Sequence, residues 1–458
     1  DENTYPAATN IDYRTMNAAG GLRYEGERLH MTFEQGGLGF HDDQTLAINQ
    51  LNRGDRLGTY LGQVLQLSQG AQTYGVKGQS VYTSAMGTAS PFSWLDLTGQ
   101  FYYSRPKTDT TFNQSATGNL LLLDTVRFVS GQQTLTGGVA TLPRRTGFAS
   151  AEIRPFSRLR VIDSWQTDRI ENSAVLAGLT TVTPGGQQPA LNLTDRLVWN
   201  QSEHRVQGFV DVFKSLTLIA GHRYLWGDAQ VRRSILSRGD AQEPGSLSRQ
   251  VGLVGLVWRP VHRFVLNGDA EIGRGNETYF RTSLQNYEKT RLRARYDITS
   301  HLRFQVRYQR LTNENPTAGV NLQFRSQLSG GSLEWTQKRW TFLGDYTGST
   351  MFNDLRFIMP LFLDSWRSLY RDNAHSVTVA STVNLHNDKA QLTFGGSTFN
   401  SAGSRPTRYY QPLLKLQVSP NKHARFFGEW RHASLGQSVY AYEAFGAQLI
   451  TVGLTVIR

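Results

Sequence analysis

Between residues 291 and 309 the chain alternates apolar and polar side chains almost without a break. Leu292, Ala294, Tyr296 and Ile298 interleave with Arg291, Arg293, Arg295 and Asp297. After Thr299-Ser300-His301 the pattern resumes, with Leu302, Phe304, Val306 and Tyr308 against Arg303, Gln305, Arg307 and Gln309. Helical geometry would spread these charges around a whole cylinder, whereas an extended strand sorts them onto two opposite faces. The same two-faced strand recurs at Phe264, Leu266 and Ile272 against Asn267, Asp269 and Glu271, at Leu414, Leu416 and Val418 against Lys415 and Gln417, and at Ala424, Phe426 and Trp430 against Arg425, Glu429 and Arg431. Earlier copies, at 95–103 and 216–220, are noisier, and no sustained helical stripe competes with them.

The connections alternate in kind. Short polar turns are predicted at Pro155–Arg158, Lys214-Ser215, Arg259–His262, Ser300-His301, Gln337-Lys338, His386–Asp388 and Ser419–Asn421, with longer Gly-, Asn- and Arg-rich loops at Arg232–Gly245, Gly273–Glu288, Leu311–Gly319 and Asn400–Arg408. A strand, a long loop, a strand and a short turn make a unit of roughly 40 to 50 residues, the length of one outer-membrane hairpin. The expected architecture is all-β: a single antiparallel barrel domain over residues 1–458, of about 20 strands (18 to 24). Residues 1–50 read either as first strands or as a segment entering the lumen. Ile450, Val452, Leu454 and Val456 read as part of a closing strand. The chain opens Asp-Glu-Asn-Thr-Tyr-Pro, without a basic and apolar export signal, and reads as a mature form.

A strand with one wet and one apolar face suits a soluble sandwich or a barrel in lipid. The mean hydropathy of −0.42 excludes neither, since a barrel wall needs only every second residue apolar. No run approaches the ~18 to 20 apolar residues of a spanning helix, which excludes a helical membrane protein. Aromatics gather near predicted strand ends, at Trp258, Tyr308, Trp335, Trp340 and Tyr346, as interfacial girdles require. The opposite faces carry charge too dense for a packed core but acceptable to a water-filled lumen. The chain is therefore expected to be an integral barrel of the bacterial outer membrane, with short periplasmic turns, longer extracellular loops and membrane lipid as its surroundings.

The recurrent phrase of strand, Pro-, Ser- or Asn-bearing turn and strand, in Val251–Ile272, Arg291–Tyr308 and Leu413–Trp430, resembles Gram-negative outer-membrane porins over nearly the whole chain. The Arg- and Tyr-rich strands and the closing Tyr440–Ile457 are also similar to the barrel (porin) components of porin-cytochrome electron conduits. That resemblance implies a sleeve with a multihaem cytochrome threaded through it. Some members carry an N-terminal Cys pair that this chain lacks, and Arg458 stands where barrel proteins usually end in Phe.

Of the possible sites, the strongest is a cationic patch of Arg291, Arg293, Arg295, Arg303 and Arg307 on two strands that should pair, with lumen-facing acidic residues Asp269, Glu271 and Asp297 beside it. Either the arginines attract anions or an acidic partner by focusing the field in a confined channel, or the carboxylates neutralise them. With no cysteine, thiolate metal sites, iron-sulfur clusters and covalent haem attachment are excluded, so no cofactor of the chain's own is expected. The ten histidines lack HxxxH and HExxH spacing, and His41 has only Asp42 and Asp43 beside it, so no metal site is expected. No Gly-x-Ser-x-Gly elbow occurs, and catalytic residues are not expected. The Gly395-Gly396 pair fits a bulge or a close backbone approach rather than a phosphate loop. The formal charge of +12 is spread along alternating strands, which disfavours nucleic acid. Three readings stay open: a porin-like pore for small polar or anionic solutes, a sleeve around a cytochrome, and an outer-membrane enzyme.

Overall fold

The structure, a computed structural model, describes residues 5, 7–54, 58–122, 126–235, 239–280, 282–316, 320–358, 365–385, 389–421, 423–439 and 443–456. Among them every regular element is a strand, and no helix is long and apolar enough to cross a membrane. In chain order the first are β1 (Thr9–Glu25), β2 (Leu29–Ile48), β3 (Gln66–Phe92), β4 (Leu95–Leu122), β5 (Arg127–Thr141), β6 (Arg144–Phe156) and β7 (Leu159–Thr183). Then come β8 (Gly186–Gln187), β9 (Leu191–Phe213), β10 (Leu216–Ile235), β11 (Gly239–Trp258), β12 (Phe264–Glu277), β13 (Asn286–Asp297) and β14 (Leu302–Asn315). The last are β15 (Val320–Gln337), β16 (Trp340–Ile358), β17 (Ser365–Leu385), β18 (Ala390–Gly403), β19 (Thr407–Asn421), β20 (Ala424–Gln437) and β21 (Phe445–Val456).

Two compact units emerge from the contacts: Asp1–Ile153 with Asp163–His204 and Leu225–Leu247, and Arg154–Ile162 with Arg205–Tyr224 and Ser248–Arg458. Residues 9–48 are thus first strands, β1 and β2, paired antiparallel in the first unit. There β5 and β6 both pair with β4, as one strand line interrupted at Leu142-Pro143. Proline has no N–H to donate, and Leu142 instead donates to the Pro106 carbonyl at 3.0 Å. A small apolar cluster of Ile48, Leu67, Leu120, Val129 and Val182 lies where β2 to β5 and β7 meet.

In the second unit the strands from the Ser248–Trp258 part of β11 to β21 form an antiparallel meander, each paired with the next. The pairing aligns the alternation from strand to strand. One rung reads Leu266, Ala294, Val306, Gly331, Tyr346 and Val377, while the rung one residue away reads Asn267, Arg293, Arg307, Gly330 and Thr347. A one-residue slip would have inverted every face, so the match confirms the period-two reading. The apolar face stays uncovered: Leu292, Phe304, Val306, Leu414, Leu416 and Ile450 are 41 to 72% exposed. A contiguous apolar surface of this extent is not tolerated in water and calls for lipid. Trp258, Phe264 and Tyr296 stack edge to face where β11 to β13 meet their short turns, and Trp335 and Trp340 flank the short turn at 338–339.

The connections at the other end differ from expectation. Arg232–Gly245 is mostly strand, because β10 runs to Ile235 and β11 starts at Gly239, and Asn400–Arg408 keeps only 404–406 outside β18 and β19. The reason is that pairing needs only backbone N–H and C=O groups, so the ladder continues past the apolar band with polar side chains on both faces. Where neither face is apolar, alternation disappears from the sequence although the strand persists. The short turn expected at His386–Asp388, and Arg458, lie outside the described residues. Gly395 and Gly396 are close approaches: an added Cβ would stand 2.2 Å from the Val379 carbonyl and 2.8 Å from that of Gln411.

Candidate functional site

All five arginines singled out from the sequence, with Asp269, Glu271 and Asp297, lie on the polar face of β12 to β14, and the register brings them together. Asp269 stands opposite Arg291, Arg293 opposite Arg307, and Asp297 opposite Arg303. Most of this charge is paired. Arg291 donates through Nε to Asp269 at 2.8 Å and through Nη2 to Glu271 at 3.5 Å. Arg303 donates to Asp297 at 2.8 Å and to Glu334 at 3.4 Å, and Arg295 lies 3.6 Å from Asp297. Arg307 donates to Asp345 at 2.7 Å and also bonds Thr347.

Arg293 is different. It faces Arg307 directly across the β13–β14 pair, a like-charge arrangement that costs stability, and among the described residues its side chain has no carboxylate partner. The Arg259 side chain, in the turn after β11, likewise has none. Arg259, Arg293, Arg295 and Arg307 line a hollow of about 570 Å³ whose other polar walls are Asn267, Gln305 and Ser332. The arrangement offers donors without acceptors of matching number, which suits an anion in transit or at rest.

A second cluster on the same face was not visible in the sequence. Glu271, whose side chain is only 12% exposed, accepts from Arg223 at 3.0 Å and from the Tyr287 hydroxyl at 3.1 Å. The Tyr287 ring is buried over Gly273, its partner across the β12–β13 pair, where a Cβ would stand 2.1 Å from the ring. The Arg249 guanidinium lies 5.5 Å from the ring's centre. Beyond it, the connection from β12 to β13 folds against this face. Gln285 donates its backbone N–H to Asn313 at 2.9 Å and its side-chain amide to the Gly275 carbonyl at 3.0 Å, while Asn313 donates to the Ser283 carbonyl at 3.1 Å. A Gly facing an aromatic in a polar register was the available signal, legible only once the hairpin register is known. Among the described residues no group of three or more His, Asp or Glu side chains could hold a metal ion. His41 lies on β2, where its ring pairs with Asp43.

No protein-family model matches the chain, and no curated protein matches it. Solved structures do. The siderophore receptor PiuA from Acinetobacter baumannii superposes with a TM-score of 0.54 at 9% identity, covering 99% of this chain and 81% of that one. The ferric-catecholate import receptor Fiu from E. coli K12, in its open form, gives 0.54 at 9% identity, covering 100% and 82%. The RagAB peptide importer gives 0.51 at 8% identity, over 88% and 62%. At such identities the likeness concerns the fold, and that fold is the outer-membrane β-barrel. The chain is accordingly an integral β-barrel of the bacterial outer membrane, and its uncovered apolar face is the face that meets lipid.

Proposed function

We propose that the chain is a solute-conducting outer-membrane barrel whose polar wall favours anions, with no chemistry of its own. In this reading the polar face of β12 to β14 borders the water-filled interior, the short turns are periplasmic and the opposite ends of the strands lie outside. The observation that carries it is the hollow around Arg293: a guanidinium without a carboxylate among the described residues, opposite a second arginine, on the polar face of the sheet. Structural neighbours described as siderophore receptors and a peptide importer support a role in moving solutes.

Planar-bilayer recording of the purified chain tests this. Anion selectivity is expected, shrinking as salt rises because the screening length falls to about 3 Å at 1 M. Arg293→Gln together with Arg259→Gln should lower the selectivity while leaving conductance nearly unchanged. Conductance that is large, non-selective and indifferent to both substitutions would overturn the anion role. A barrel isolated from membranes that conducts only after a bound protein is removed would instead favour the sleeve, with acidic groups of a cytochrome on the same arginines.

A further inference from the structure

The lipid-facing side of the second unit is layered, and its last layer is unexplained by conduction. Along β14 the outward residues run Leu302, Phe304, Val306 and Tyr308, then Arg310; along β15 they run Leu333, Gly331, Ser329 and Gln327, then Arg325. Along β17 they run Val379, Val377 and His375, then Asn373 and Arg371. Amphipathic pairs mark the border of the apolar band: the Tyr346 hydroxyl and His375 Nδ1 are 2.8 Å apart, and Tyr410 packs on His432 with ring centres 5.5 Å apart. Such rings sit where hydrocarbon gives way to headgroups. From Leu302 to Arg310 is about 26 Å along the strand, or about 20 Å along the membrane normal at the usual tilt. Arg310 therefore stands near the border opposite the short turns.

There the arginines cluster. Arg325 shares a rung with Thr312 and Phe352, Arg371 faces Phe352 from the next strand, and Arg310 is the diagonal neighbour of Arg325 through Gln327. Arg310, Arg325 and Arg274 line a hollow of about 590 Å³, with Glu288 and Glu314 also on its wall. Glu288 lies 3.4 Å from Arg274, and Arg371 lies over the Phe352 ring at 5.4 Å. Arg310 and Arg325 are both exposed, and neither has a carboxylate partner among the described residues.

We propose that this outward hollow binds phosphoryl groups of the outer-leaflet lipid, the acyl chains lying on the apolar band below it. Two diagonal guanidiniums without carboxylate partners among the described residues offer their donors to one anion together, and phosphate takes Arg bidentately. Their place on the lipid side, one layer (Arg310) and two layers (Arg325) beyond the aromatic border, makes a membrane headgroup the anion within reach and keeps the site apart from solutes on the opposite face. The choice of leaflet rests on the orientation proposed above; the hollow and its charges do not.

The test compares the full chain, purified from outer membranes in mild detergent and washed by gel filtration, with Arg310→Gln/Arg325→Gln and with the opposite-face control Arg293→Gln. Lipid phosphorus retained per barrel is expected to fall roughly tenfold or more in the double variant, at ~1 kcal/mol of attraction for each arginine near the lipid surface, and to stay unchanged in the control. Heat-modified gel mobility confirms that all three are folded. Equal retention in all three, or loss only in Arg293→Gln, overturns the site. Titration with inorganic phosphate forms the second arm: displacement of the lipid at low millimolar concentration would show a free-anion site and also overturn it. Labelling of Gln323→Cys on intact cells reads orientation separately. If that position is closed to external reagents while the double variant still loses lipid, the orientation fails and the outer-leaflet assignment falls with it, whereas an open position with equal retention condemns the site alone.

Discussion

Arginine at Val306 should damage the fold by a predictable amount. Val306 stands on the lipid face between Phe304 and Tyr308, opposite Ala294 on one side and Gly331 on the other, and is 41% exposed. Its neighbours across the strands are too small to shield a guanidinium. The nearest outward polar groups, Ser329 and His375 in the rung of Tyr308, are about 7 Å further along the strand, at the limit of the ~7 Å reach of an arginine side chain, and the first outward charge, Arg310, is about 13 Å away. Snorkelling thus gives partial relief, and the whole range of ~2 to 4 kcal/mol for a midplane arginine applies. That corresponds to a drop of about one and a half to three decades in the folding equilibrium constant. Arg293→Gln, on the next strand and the opposite face, removes a like-charge contact and should change stability by less than about 0.5 kcal/mol. Equilibrium refolding from urea into lipid vesicles gives both values. A Val306→Arg barrel within about 0.5 kcal/mol of the parent, or an Arg293→Gln barrel equally damaged, would refute the assignment of faces.

Two further outcomes follow from the polar cluster. Gly273→Ala should cost about 2 to 3 kcal/mol in the same assay, because the new methyl displaces the Tyr287 ring and with it the hydroxyl that holds Glu271; in Gly273→Ala/Tyr287→Ala the two losses should fall short of additive, and strict additivity would show that the ring does not depend on the glycine. Arg307→Gln should cost about 0.5 to 1 kcal/mol by leaving Asp345 without its charged donor, with Asp345→Asn restoring much of the loss in the double variant; absence of coupling in that cycle would show that the pair is only geometric.

What the sequence made legible is what lipid and water enforce residue by residue. Leu292, Phe304, Val306 and Leu414 could be assigned to one face, and Arg291 to Arg307 to the other, because every second position feels the same solvent along the whole strand. Three things needed the structure. The strand ends beyond the band read as loops, since where exposed polar residues such as Arg232, Arg233 and Ser234 follow one another no alternation is selected. The partners of the arginines were hidden because Glu334 lies 31 residues from Arg303 and Asp345 lies 38 from Arg307, and only the register brings them within reach. The site therefore resolved into a division the sequence could only pose as a choice: Arg291, Arg303 and Arg307 are held by carboxylates, while Arg293 has none among the described residues. The outward cluster escaped notice for the same reason as the strand ends. Arg310 and Arg325 fall where the apolar pattern stops, and a cation there reads as ordinary surface until the pairing shows which face it continues. Once that face is the lipid face, the two arginine sets part company: Arg293 on β13 lies on the polar face opposite Arg307, whereas Arg310 on β14 continues the apolar one beyond Tyr308.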